Sequence, residues 1–421
     1  MAKRKKKVDP KADTARIIRL RNYQEQEAYV EYEDDEAVSE ERLKKAQVPK
    51  AVYRIVIILI LLIVGLAVWL NRDNLSWDSI QNWVKLQFVG AGQGDGFPIS
   101  ITGSSVLASN FTAYGGDALV LSDTSFTVVD PSGKTQLSLR HSLSQPAMRS
   151  AHGKTLLYNQ GSTGYLVLSG TETTVRGTAE REILAGVVAP NGRFALGLHG
   201  SDGASELNVY QKDGTLQYTY SFARDYITAI AMNYDGVYGM VCTVRAEGGE
   251  LVSKVTVFDF NQPDPITSYE TRDNLILDAA WTENGDLYAV GESALLLAKS
   301  TDYEFTEYGY DGRQLTAYRL DQNRAFLSIS AYEHAGPCTL LVFRGNSEPV
   351  RIEAPERIVS LSASGGTVGA LMVTDVVFYD YSTGMEQGSV DGGSDAKSIA
   401  LNSERMAYVL GVSEIRTVEI R

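Results

Sequence analysis

Five arginines recur in one local setting. Arg181, Arg224, Arg272, Arg313 and Arg357 each stand just ahead of a short apolar run of strand-forming residues. A guanidinium presents five N–H donors in a rigid planar fork that matches the oxygens of a carboxylate or phosphate. Five of them around one opening could hold an anionic ligand or a partner's carboxylates. The competing use is local. Each arginine could pair with an acidic neighbour such as Asp225 or Asp273 and tie one structural unit to the next, and this is the simpler of the two.

Other chemistry finds little support. The four histidines, His141, His152, His199 and His334, are scattered, with no H-x-x-x-H or HExxH spacing and no Cys/His cluster that would hold a metal. Cys242, between Val241 and Thr243, reads as a small buried hydrophobe, and Cys338 falls in a non-adjacent repeat, so no disulfide is expected. There is no G-x-S-x-G elbow and no P-loop, and the alternating glycines of VGAGQGDG (90, 92, 94, 96) are wrongly spaced for a dinucleotide site. DGGSD at 391–395 only weakly resembles a calcium loop. No cofactor, metal or catalytic residue is therefore assigned, and the chain is read as non-enzymatic. A carboxylate pair placed for glycoside chemistry stays open, because acidic residues abound. Trp281 is the one tryptophan among the repeats, which counts against a sugar-stacking groove.

The elements that must position these residues are repeats. From Phe97 onward, one pattern recurs: an apolar strand, a tight polar turn and a second apolar strand. Its copies include MRSAHGKTLLYN, VAPNGRFALGL, AWTENGDLYAVG and YRLDQNRAFLSIS. Aligned on the second turn residue they fall at Gly116, Gly153, Gly192, Gly236, Gly285, Asn323, Gly366 and Glu404. The mean step of about 41 residues is the length of a four-stranded propeller blade. A second strand–turn–strand follows in each unit except the last, which stops after three strands. The missing strand is available in FPISIT (97–102), ahead of the first unit. Pairing it with the last unit would close the ring and remove the open edges. The expectation is an all-β, eight-bladed propeller over 97–421, with seven blades as the fallback. Asn-Gly or Asp-Gly at 191–192, 213–214, 235–236 and 284–285 predicts two-residue hairpin turns with both residues at positive φ. The longer loops HGSDGASE, RAEGGELVSK and YEHAGPC lie on the same face as the five arginines, where binding function tends to collect.

The segment before the repeats is of another kind. Residues 51–70, AVYRIVIILILLIVGLAVWL, form an apolar run that as a helix would span a bilayer core of ~30 Å. Arg42, Lys44, Lys45, Lys50 and Arg54 flank it on one side, against Arg72 and Lys85 on the other. That bias predicts an uncleaved signal anchor with the N-terminus in the cytoplasm and the repeats outside. Residues 1–50 are a charged tail expected to be mostly disordered, and 71–96 a Trp-bearing stalk and glycine-rich linker. The net charge of −13 is uneven: residues 71–421 carry 25 Lys/Arg against 41 Asp/Glu, a net of −16. An acidic exported domain does not suit nucleic acid. The partners expected are membrane lipid through 51–70 and an envelope or membrane protein.

APNGRFALGL and WTENGDLYAVG resemble the strand pairs of WD-repeat and YVTN-type bacterial propellers, without the WD dipeptide or its Gly-His partner. The whole layout resembles a family of uncharacterised, single-pass, membrane-anchored β-propeller proteins of Gram-positive bacteria. The resemblance implies a fold and a placement at the plasma membrane, but no activity and no catalytic residues. The function expected is a protein-binding scaffold or sensor at the cell envelope. The alternative is a propeller enzyme or binding protein acting on a glycan or anionic small molecule at the channel mouth.

Overall fold

The computed structural model describes residues 6–7, 29–30, 96–332 and 334–420. Contacts divide the chain into Met1–Val84 and Lys85–Arg421. In the first unit Lys6–Lys7 pairs antiparallel with Tyr29–Val30. The anchor at 51–70 and almost all of the stalk lie outside the described residues. Among the described residues no helix is long and apolar enough to cross a membrane.

The second unit is all β. Its strands form eight four-stranded antiparallel sheets, seven of them built from four strands consecutive in the chain. Each blade runs outward from its inner strand. Blade 3 is typical, with Ile183–Val188, Phe194–His199, Ser205–Tyr210 and Leu216–Phe222. Second strands are buried almost throughout, as in Asp286–Gly291 of blade 5 and Ala325–Ser330 of blade 6. Both faces of such a strand pack on a neighbouring blade, so it reads as a continuous apolar run rather than an alternating one. Outer strands have one wet face and alternate, as Leu216–Phe222 does.

Eight apolar clusters fill the eight junctions between neighbouring blades. Phe326, Leu340 and Val342 of blade 6 meet Val368, Ala370 and Met372 of blade 7. Tyr408, Leu410 and Ile415 of blade 8 meet Phe111, Val120 and Val129 of blade 1. Some junctions need the absence of a side chain. A Cβ on Gly197 would stand 2.8 Å from Ile227 Cγ2, and one on Gly369 would stand 2.5 Å from Leu401 Cδ1.

The ring closes as the repeat count requires. Blade 8 has three strands from the C-terminal end, Ser398–Leu401, Met406–Leu410 and Glu414–Glu419, and takes Ile99–Ser100 as its outer strand. Ile99 pairs with Ile415 and Ser100 with Glu414, and the Ile101 amide donates to Ser413 O at 2.9 Å. Tyr408 Oη donates to Gly116 O of blade 1 at 2.6 Å.

The turn expectation needs correction. Asn191, Asp213, Asp235 and Asn284 are not at positive φ; only the glycine after each is. The turns are one or two residues longer than a minimal hairpin. In three of them the Asn or Asp carboxamide or carboxylate oxygen accepts the amide two residues on: Arg193 at 3.0 Å, Thr215 at 2.9 Å and Val237 at 3.1 Å. This side-chain bond holds the first residue in ordinary backbone space and leaves the left-handed step to glycine. The tight form does occur at His152–Gly153, with φ of 48° and 75°.

Candidate functional site

The inner strands of all eight blades line a central cavity of about 930 Å³. Inner strands are where a propeller sequence meets its channel, and most of their residues here are small or apolar. Two arginines are exceptions. Arg149 of blade 2 and Arg319 of blade 6 both sit within otherwise uncharged inner strands, Pro146–Ala151 and Gln314–Leu320. Neither pairs with its own blade. Arg149 Nη2 donates to Asp278 Oδ1 of blade 5 at 3.3 Å, and Arg319 Nη2 donates to Thr112 Oγ1 of blade 1 at 2.9 Å. The middle of the channel is therefore crossed by two arginine side chains.

Burial raises the protonation constant of the Tyr318 hydroxyl, and the nearby Asp278 charge raises it further. Burial likewise raises Tyr158. Both phenols stay neutral donors. The Asp278 carboxylate holds Arg149 above its ordinary value, whereas burial lowers Arg319 despite Asp321 and Asp278. Burial raises Asp321 as well, opposed by its bonds from the Asn323 amide at 2.8 Å and the Arg324 amide at 2.6 Å.

The mouth on the side of the first hairpin turns has a second link between blades 2 and 5. His152 Nε2 lies 2.8 Å from Glu283 Oε1. The imidazole sits between Tyr114 and Tyr234, at centroid distances of 6.3 and 5.4 Å, while its Nδ1 is buried without a hydrogen-bond partner. On the same side, turns bind their neighbours around the ring. Asn191 donates to Asp235 O at 2.5 Å, and Glu404 accepts the Gly366 amide at 2.6 Å.

The five arginines named from the sequence lie elsewhere. Four occupy the connections from one blade's outer strand to the next blade's inner strand, Arg272 is the last residue of the outer strand Thr267–Arg272, and none lines the cavity. Arg181 lies 3.5 Å from Glu206. Arg272 lies 2.7 Å from Glu250 and 3.6 Å from Glu247. Arg313 donates to Thr339 Oγ1 at 3.1 Å. Arg224 is exposed and Arg357 half-buried. Asp225, offered as a local partner, instead accepts from Arg245 at 3.3 Å. Sequence analysis passed over Arg149, Arg319 and Asp278, although each breaks an apolar inner strand with a charge, in MRSAHG, YRLDQN and ILDAAW. Both cysteines are buried free thiols. Among the described residues, no group of His, Cys, Asp or Glu is placed to hold a metal ion.

Both faces of the ring carry exposed apolar side chains: Tyr114, Leu216, Tyr234, Ile266 and Met385 lie on the face of the first hairpin turns, and Tyr226 and Leu251 of blade 4 lie on the opposite face with a further set. Leu107, Tyr332, Val359, Val373 and Val412, on consecutive blades 6, 7, 8 and 1, are 43–62% exposed. All lie at inner-strand starts or in turns between second and third strands, hence on one face. Gly96 abuts Gly133, in a turn on the other face, so the chain joins the ring from that other side.

Ring and channel together define an eight-bladed β-propeller with a polar, side-chain-bridged channel. Residues 99–308 match the model of a family of unknown function, DUF5711. No curated protein matches the chain. Among solved structures, the chain is similar to the β-propeller domain of Cps50 (Swd1) from Myceliophteria thermophila, at 13% identity and a TM-score of 0.47, covering 77% of this chain and 100% of that one. It is also similar to apo AztD from Citrobacter koseri (10%, 0.47, 74% and 89%) and to hydrazine synthase from Kuenenia stuttgartiensis (9%, 0.45, 76% and 97%). At these scores the likeness says nothing of what this chain binds or does.

Proposed function

We propose that this chain is a single-pass plasma-membrane protein whose extracytoplasmic propeller binds a protein and acts as a scaffold or sensor at the cell envelope. The observation that supports binding is the arc of exposed apolar side chains on blades 6, 7, 8 and 1. Scattered surface apolar residues are ordinary, but a gathered set marks an interaction surface. The arc lies on the opposite face of the ring from Gly96. Arg181, Arg224, Arg272, Arg313 and Arg357 stand on this face as well, and in this proposal the exposed Arg224 meets a partner's carboxylate. The placement rests on the apolar run at 51–70 and on its basic N-terminal flank.

Photo-crosslinking in cells tests the proposal. A crosslinker at Val373 or Val412 is expected to capture a protein, whereas one at Met385, 69% exposed on the opposite face, is not. Capture of lipid alone at all three positions would overturn it. Protease added to wall-stripped cells is expected to degrade the propeller and spare residues 1–50; the reverse pattern would refute the orientation.

A further inference from the structure

The channel waist has more hydrogen-bond donors than the protein uses. Arg149 and Arg319 each carry five N–H donors. Among the described residues each makes one hydrogen bond, Arg149 to Asp278 and Arg319 to Thr112. Asp278 Oδ1 is shared with its neighbour, accepting the Ala279 amide at 2.9 Å. The Arg149 side chain retains 38% exposure although it projects from an inner strand into the cavity wall, so its free donors open onto the cavity. Two guanidiniums enter the chamber from opposite sides, on blades 2 and 6; Asp278 and Asp321 lie close enough to offset their charge, yet most of their N–H donors stay unused.

From this geometry we infer that the waist between Arg149 and Arg319 binds a small molecule through a carboxylate. Its two planar oxygens match the unused edge of either guanidinium. Ile230, Leu315 and Ile399 in the same wall favour a molecule with a carbon frame over a bare inorganic anion. A cavity of about 930 Å³ is of the size that encloses such a ligand. The site is separate from the exposed apolar arc, so it stands or falls independently of the protein-binding proposal.

The test uses the full chain in detergent, with citrate, glucuronate and inorganic phosphate as probes at constant ionic strength. Thermal melting and calorimetry provide the readouts. At least one carboxylate probe is expected to raise the melting midpoint saturably. Arg319→Gln should weaken that probe roughly tenfold or more, and Arg319→Lys, which keeps charge but loses the fork, less. Asp278→Asn removes the competing carboxylate and should tighten binding several-fold. Circular dichroism confirms that each variant is folded, and Arg319→Lys and Asp278→Asn carry the test if Arg319→Gln is not. The inference is overturned if no carboxylate acts beyond chloride, if phosphate alone acts, or if Asp278→Asn weakens binding in a folded protein. In those cases the arginines are struts between blades.

Discussion

Arg149 and Asp278 are 129 residues apart in the chain and 3.3 Å apart in the ring. They join blades 2 and 5, which share no apolar junction. The apolar junctions all run between neighbouring blades, so a contact across the channel such as this pair reports on the ring as a whole. Arg319 and Thr112 do the same for blades 6 and 1, across 207 residues.

Removing one partner of the Arg149–Asp278 pair leaves a charge in the channel without its counterion. Arg149→Met or Asp278→Asn is expected to destabilise the protein by about 1–3 kcal/mol, below the cost at a fully buried pair because the cavity keeps Arg149 accessible. The double substitution should recover part of the loss. Denaturant unfolding of the four proteins measures the coupling, and strict additivity would show that the pair contributes nothing as a pair.

Asp117 gives a pH dependence of known sign. Burial, with the nearby Asp130 charge adding to it, pushes its carboxyl up to about 6. The folded state thus binds a proton that the unfolded state has already released between its ordinary value of 3.8 and about 6. Stability contributed by the protonated form is complete at the acid end of that window and is lost as pH rises through it. Asp117→Asn should therefore raise the melting temperature at pH 7 and have little effect near pH 4. An equal effect at both would contradict the assignment.

Tyr408 ties the last blade to the first. Its hydroxyl donates to Gly116 O at 2.6 Å and accepts from Asn402 Nδ2 at 3.1 Å. Tyr408→Phe keeps the ring packed against Phe97, at a centroid distance of 5.4 Å, but leaves two polar groups short of a partner. The expected loss is about 1–2 kcal/mol, read from the unfolding midpoint.

The N-terminal strand of the ring protects an edge. A truncation that starts at residue 96 should remain soluble and melt cooperatively. One that starts at residue 102 removes Ile99–Ser100 and the Ile101 amide bond, exposing Glu414–Glu419 as an open strand. It is expected to aggregate or to melt at markedly lower temperature, as light scattering during a thermal ramp would show. Identical behaviour would mean that closure is dispensable.

Much of this fold was legible beforehand because its signals are local. Turn residues such as Gly153 and Asn323 mark the first hairpin of each blade, and apolar runs such as DLYAVG mark second strands buried on both sides. A three-strand ending and a lone strand at Phe97–Thr102 imply closure by counting alone. The turn geometry at Asn191 and Asp235 was less legible, since an Asn-Gly or Asp-Gly pair fits two turn types. The side-chain bond to the amide two residues on decides between them. The recurring arginines were visible for the same reason as the turns, their fixed place in each repeat. That regularity put them at blade connections, away from the channel.

By itself, then, the sequence determined the repeat unit, the closing strand and the acidic character of the domain, and narrowed the blades to eight or seven; the structure shows eight. These follow from alternation, turn chemistry and composition, each read over a few neighbouring residues. Tertiary structure alone decided that Arg149 meets Asp278, that Arg319 meets Thr112, and that His152 meets Glu283. Which inner-strand side chains touch across a channel depends on the radius of the closed ring and the rotation of each blade within it. Both are set by the packing of eight apolar junctions at once, and no local pattern carries that sum.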